Sequence, residues 1–268
     1  MQSGIFPESG VIISVSGGIG MKRTISCILL ILLFCAGVVF AESPSLLVYC
    51  GAGLKKPMEE LKSQYEKAEG GQITYTYAGS GQLISQIQLS GKGDVLIIGS
   101  EDVYKTAVDK KLAYAPVLIA HHTPCIAVLK GNPKGIKSLA DMAKPGVRVI
   151  LGDPKANAVG LSAQNMITKN KLPGINTNTV AQTSTVNELV VQLTMGQADA
   201  AIVTKDSVAS SDKLEIIEIP AEQNIDQLIP VGILTVTRQK DAAQKFVDFT
   251  ASAAGKACFK KFGFDPVE

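Results

Sequence analysis

The sequence predicts an α/β fold of two lobes with a ligand cleft between them. Three observations point there. Short apolar runs alternate with amphipathic helical stripes from residue 42 onward, the alternation restarts near residue 126, and no Gly/Ser/Pro-rich linker divides the two series. Alternation of this kind implies mostly parallel sheets covered by helices on both faces.

The first series opens with an apolar run at 46–49, read as a strand. A helix follows, with Pro57 in its first turn and Leu54, Met58, Leu61 and Tyr65 on one face. Residues 73–77 form the next strand, and Leu83, Ile84 and Ile87 the next helical stripe. Residues 95–98 are a strand, and Val103, Ala107 and Val108 mark a helix running to Lys111. In the second series 126–129 and 147–151 are strands, and Val159, Ala163, Met166 and Ile167 make a helical face. A further strand begins at Val180, a helix carries Val186, Leu189, Val190 and Leu193, and strands at 200–203 and 214–219 close the series. Residues 233–236 are expected as a strand, and Phe246, Phe249, Phe259 and Phe262 on two terminal helices that return to the first lobe. Strand-like crossings are expected at 118–123 and 227–231, so lobe 1 is 42–119 plus 230–268 and lobe 2 is 120–229.

The beginning of the chain has the features of a secretion signal. Met21-Lys22-Arg23 is a short basic start, and the apolar run that follows ends in Val39-Phe40-Ala41, small residues at the positions a signal peptidase reads. That run falls short of the ~20 residues a membrane-spanning helix needs. Residues 21–41 are therefore read as a signal peptide, with 1–20 as an upstream extension, and the protein is expected to be secreted, periplasmic or at the cell surface. A lipid anchor at Cys35 would follow the bulky Phe34, a poor fit to that processing.

Charge and composition exclude several functions. The net charge is +2, and removing 1–41 takes away Lys22, Arg23 and Glu8, so no overall field attracts nucleic acid or any other anion. Aromatics are 5% of the chain and Trp is absent, which argues against a sugar- or base-stacking surface. Cys50, Cys125 and Cys258 permit one disulfide at most, match no zinc spacing, and lie in apolar surroundings that suit buried thiols. His121 and His122, the two histidines, point to opposite faces of an extended segment and are read as surface or hinge residues. No nucleophile elbow or phosphate-cradling Lys loop occurs, and no catalytic residue is assigned. Asp94 and the Glu101-Asp102 pair read as caps or partners of a helix dipole.

Five strand-to-helix junctions stand out because small or hydroxyl residues sit where backbone NH groups would be exposed. They are Gly51-Ala52-Gly53, Ala78-Gly79-Ser80-Gly81, the loop from Gly152 to Gly160, Thr183-Ser184-Thr185-Val186-Asn187, and Thr204. Each lies at the carboxyl end of a strand, where open α/β sheets bind ligands. The first NH groups of a helix lack partners within it, so several helix starts aimed at one point can hold a dianion with no Lys or Arg. Any single junction is equally an ordinary turn or cap: Thr185 with Glu188 is a capping box by itself. The argument rests on the set.

Three segments, taken in order, give a family resemblance: Val48-Tyr49-Cys50-Gly51-Ala52-Gly53-Leu54, Tyr77-Ala78-Gly79-Ser80-Gly81-Gln82-Leu83 and Gly93-Asp94-Val95-Leu96-Ile97. Gly152-Asp153-Pro154 closing on Val159-Gly160, and the terminal Phe259-Lys260-Lys261-Phe262-Gly263-Phe264, extend it over 42–268. The chain resembles the periplasmic molybdate-binding proteins of ABC transporters. The resemblance implies a type II periplasmic binding protein fold, two Rossmann-like lobes closing on a tetrahedral oxyanion. It further implies a non-enzymatic monomer that needs no cofactor and delivers molybdate or tungstate to a membrane permease. Carried over residue by residue, the ligand donors fall on Gly53, Ser80, Val159, Val186 and Thr204. The family pattern has a hydroxyl residue where Gly53 stands and a Tyr where Thr204 stands. An archaeal tungstate-binding branch brings carboxylates to the metal at positions that correspond to Val186 and to the neighbourhood of Asn157; neither is acidic here, which favours recognition of the oxyanion through its oxygens. Two other readings stay open at this point: the same fold holding another oxyanion or a small organic anion, and an enzyme or sensor domain on this scaffold.

Overall fold

The computed structural model describes residues 44–268. The signal-peptide reading of 21–41 and the upstream extension lie outside the described residues.

In chain order the strands are β1 (Ser45–Gly51), β2 (Gln72–Ala78), β3 (Val95–Ile97), β4 (Val117–His121), β5 (Pro124–Leu129), β6 (Val149–Gly152), β7 (Thr179–Thr183), β8 (Ala200–Thr204), β9 (Leu214–Ile217), β10 (Leu228–Ile233) and β11 (Asp265–Pro266). They form two sheets, ordered β11-β4-β10-β3-β1-β2 and β7-β6-β8-β5-β9. The chain passes from the first to the second through His122 and Thr123 alone, and returns ahead of Leu228.

The helices cover these sheets as the apolar stripes require. In the first part α1 (Lys55–Glu69), α2 (Ser80–Ser90) and α3 (Glu101–Asp109) follow β1, β2 and β3. In the second, α4 (Leu139–Met142), α5 (Ala158–Lys169), α6 (Gly174–Thr177), α7 (Val186–Thr194) and α8 (Lys205–Val208) surround β6 to β8. The terminal α9 (Lys240–Ala251) and α10 (Ala253–Lys261) return to the first sheet. There Phe246 and Phe259 bury fully beside Leu61 and Tyr65, and the Tyr65 and Phe246 rings meet edge to face at 5.1 Å. The opposite face of that sheet is filled by Leu83 and Ile87 from α2 with Tyr104 from α3. A separate core under the second sheet joins Ile126, Ile150 and Ile202 to Met166, Leu189 and Leu193.

The two-sheet α/β architecture is the one the sequence predicts, with two differences. The sheets are mixed: β1 runs parallel to β2 and β3, and β6 to β7 and β8, but β5, β10 and β11 run against their neighbours. A parallel neighbour needs a crossover long enough to bring the chain back to the same end of the sheet. β5 and β10 are entered from the other half without one. The last long strand also lies earlier than 233–236, spanning Leu228–Ile233 across the expected crossing. Pro230 and Gly232 hide it as turn signals in the sequence. In the fold Pro230 sits at a register shift against β4, and Gly232 is there because a Cβ would stand 2.2 Å from the Tyr104 hydroxyl.

Candidate functional site

The turns that end the parallel strands of both sheets meet around one small cavity. Gly53, Gly79, Ser80 and Gly99 line it from the first sheet, Asn157, Val159, Thr185 and Val186 from the second, and His122 from the passage between them. The space open to the centre of a water-sized sphere is ≈ 30 Å³. One water needs about 10–15 Å³, so the cavity is small.

Four of the five predicted donors line this cavity. Gly53 lies in the one-turn helix Ala52–Leu54 that leads into α1. Ser80 is the first residue of α2 and is buried. Val186 is the first residue of α7. Val159, the second residue of α5, is also present, but its amide donates to Asn157 Oδ1 at 3.1 Å and is already engaged. Thr204 is not brought to the lining. It ends β8, is buried, and its Oγ1 has no hydrogen-bond partner.

The starts of four helices, two from each half, therefore converge on one point, each offering the positive end of its dipole. Neither Lys nor Arg is part of the lining. The two halves also touch across the cavity. The Gly81 amide donates to the Ala156 carbonyl at 3.0 Å, and Asn187 Nδ2 to the Ala52 carbonyl at 2.9 Å. A Cβ on Gly79 would stand 2.3 Å from the Ser184 carbonyl oxygen, and one on Gly81 1.9 Å from that of Lys155. Glycine at these two places is what allows the opposing backbones to approach. At Gly53 a Cβ would meet Val186 Cγ1 at 2.7 Å, so a larger residue there must displace a side chain of the opposite wall.

Sequence reasoning missed Gly99 and His122 as lining residues and placed Asn157 in the candidate loop from Gly152 to Gly160 without naming it a donor. Gly99 was findable: it follows β3 as Gly51 ends β1, and the strand-end rule applies to both. His122 was not. The two histidines do face opposite ways, but only His121 is a surface residue, paired with Asp226. His122 is 5% exposed, beneath the Phe264 ring and beside the buried Asp206, neither of which is near it in sequence. Asn157 caps α5 with its Oδ1 and leaves Nδ2 buried with no partner, a side-chain donor at the cavity that has no acceptor within the protein.

The other chemical candidates resolve as structure. Cys50, Cys125 and Cys258 are buried free thiols. Burial pushes Cys125 up to about 12, with Asp206 and Glu218 adding to it, and raises Cys258 to about 11, so both stay protonated. Asp94 holds the Leu47 amide and the Thr237 hydroxyl, and Ser100 caps α3, whose first turn carries Glu101 and Asp102. Among the described residues no group of His, Cys, Asp and Glu is gathered that could hold a metal ion.

Two α/β halves that both direct helix starts at one small cavity are the arrangement of a solute-binding protein. The comparisons give the family. The chain belongs to the bacterial extracellular solute-binding proteins, whose family model matches residues 46–265. It is 32% identical to a binding protein of Haemophilus influenzae over 85% of this chain and 93% of that one. It is 27% identical to the molybdate-binding protein ModA of Mycobacterium tuberculosis, over 82% of this chain and 84% of that one. Among solved structures it shares its fold with the sulfate-binding protein SubI of Mycobacterium tuberculosis, at a TM-score of 0.73 and 16% identity, over 84% of this chain and 88% of that chain.

Proposed function

We propose that the protein captures molybdate, and tungstate with it, outside the cytoplasmic membrane and hands it as a monomer to the membrane permease of an ABC transporter. The observation that carries this reading is the ion-sized cavity enclosed by helix starts from both halves with no Lys or Arg in its wall. Such a cage selects by size and by charge distribution. Molybdate and tungstate are nearly equal in size and larger than sulfate, so a cage fitted to them leaves sulfate short of its donors. Phosphate at neutral pH carries a proton that needs an acceptor, and no carboxylate lines the cavity. The likeness to a molybdate-binding relative agrees with this choice. In this reading Gly53, Ser80 and Val186 contribute their amides, Ser80 its hydroxyl as well, and Asn157 Nδ2 acts at the start of α5 beside Val159. The lobes 42–119 plus 230–268 and 120–229 close about the two crossings, and the closed form presents the surface that the permease reads.

A second reading, sulfate as the ligand, is favoured by one observation: with Gly53 bare and Thr204 outside the lining, the cage has fewer hydroxyl donors than the molybdate pattern. Isothermal titration of the protein with molybdate, tungstate, sulfate and phosphate separates the two. Binding of molybdate and tungstate at least about a hundredfold tighter than sulfate, a difference of roughly 2.7 kcal/mol, is the expected result. Tight binding of sulfate alone overturns the proposal.

A further inference from the structure

His122 stands where the chain passes between the sheets, and it lines the anion cavity while almost wholly buried. Its Nδ1 lies 2.9 Å from the Gly99 carbonyl oxygen. A carbonyl only accepts, so Nδ1 carries the hydrogen and donates it. The second nitrogen, Nε2, is then a lone pair in the neutral ring or an N–H in the cation. Nε2 is buried without a hydrogen-bond partner and lies 3.4 Å from Asp206 Oδ1, a carboxylate whose side chain is itself 4% exposed. A lone pair there opposes the carboxylate, and it would oppose an anion in the cavity as well. An N–H is attracted to both.

We propose that His122 is the one cationic donor of the anion site, and that capture of the oxyanion is coupled to uptake of a proton from solvent at its Nε2. This rests on the anion-binding reading above and adds a charge that none of the neutral helix starts supplies. Its positive charge acts on the oxygens of the ion and not as a ligand to its metal centre, while Nε2 itself lies towards Asp206.

The groups around the ring agree. Asp206 comes from α8, and Asp226, from the segment before β10, is held by His121 and the Thr123 hydroxyl. Lys205, which precedes Asp206 in sequence, is paired with Glu218. Cys125 on β5 keeps its proton, Phe264 packs on the ring at 5.8 Å, and α5 faces it with uncharged residues. Burial pulls the His122 pKa down, but the Asp206 charge, the Gly99 carbonyl and Asp226 push it up by more, so it stands above the ordinary histidine value. A bound dianion adds a third negative neighbour and raises it again. The sign follows: the donor is present below the pKa of the free protein, and affinity falls as pH rises through that value, by at most about tenfold per pH unit for one proton.

The test is titration of the full chain with molybdate, between about pH 6 and pH 9, in buffers of different ionisation enthalpy. We expect proton uptake near zero at the acid end, rising towards one per anion at the basic end as affinity falls. The chain holds two histidines, so its two imidazole signals can be followed by NMR, and molybdate should raise the pKa of one of them. His122→Gln should bind about tenfold to a hundredfold more weakly at the acid end and take up no proton, and His121→Gln should behave as the parent. Absence of proton uptake by the parent protein across this range overturns the inference, and so does parental affinity in His122→Gln. If His122→Gln does not fold, the parent's proton count and the NMR titration decide. Molybdate binding without proton uptake removes only the role of His122. Failure of all four anions to bind removes the proposed function with it.

Discussion

The two walls of the cavity present their helix starts in different ways. On the first-sheet wall neither the turn at Gly51 nor the one at Gly79 has a side-chain oxygen accepting from the amides of the helix that follows. On the second-sheet wall each helix start is capped by a side chain: Asn157 Oδ1 takes the Val159 amide, and Thr185 Oγ1 takes that of Glu188. The Gly79 turn still engages two amides, that of Gly79 with Gln82 Oε1 and that of Gly81 with the Ala156 carbonyl, and it needs glycine so that the other wall can come close. Capped starts hold their helices without a ligand, but the cap consumes an amide. At Asn157 the atom left over, Nδ2, has no partner within the protein. In the proposed function the anion is met by backbone on one side and partly by side chain on the other.

The largest effect should come from the bare wall. Gly79→Val or Gly81→Val places a side chain into opposing carbonyl oxygens, so closure fails and molybdate affinity should drop by about a hundredfold or more, at or above the upper end of ordinary overpacking. Because Gly79 has φ −66° and Gly81 is helical, neither backbone needs glycine for its own conformation. Thermal melting without ligand should therefore change little, and a collapse of that melt together with binding would refute the close-approach argument. On the capped wall Asn157→Asp keeps a good N-cap but exchanges the free donor for an acceptor. Calorimetry should show a loss of about tenfold to a hundredfold, the worth of one hydrogen bond to a charged group, with the ligand-free melt unmoved. If affinity is kept, Nδ2 faces no ion. The smallest effect is expected at Thr204→Val. Its hydroxyl is buried, unpartnered and outside the lining, so affinity should change less than about twofold, while stability holds or rises by up to about 1 kcal/mol. A clear loss of binding there would return Thr204 to the site.

The main strands and helices were legible in the chain, and so were four residues that line the cavity. Apolar period marks the elements, and Gly and Ser at strand ends mark where backbone is left bare. What stayed hidden had its cause far away in sequence. Gly232 looks like a break in a strand until Tyr104, more than a hundred residues earlier, is seen to fill the space of its Cβ. Thr204 satisfies the strand-end rule, yet it is not among the residues that line the cavity.

By itself, then, the sequence determined the two-sheet α/β architecture and the strand-end glycines, because each depends on residues close together in the chain. The tertiary structure alone decided which of those turns share a cavity, that Asn157 Nδ2 is left without an acceptor, and that His122 is enclosed between Gly99 and Asp206. Those are outcomes of long-range packing: the charge state of a buried imidazole depends on what the fold brings to each of its two nitrogens, and no local pattern encodes that.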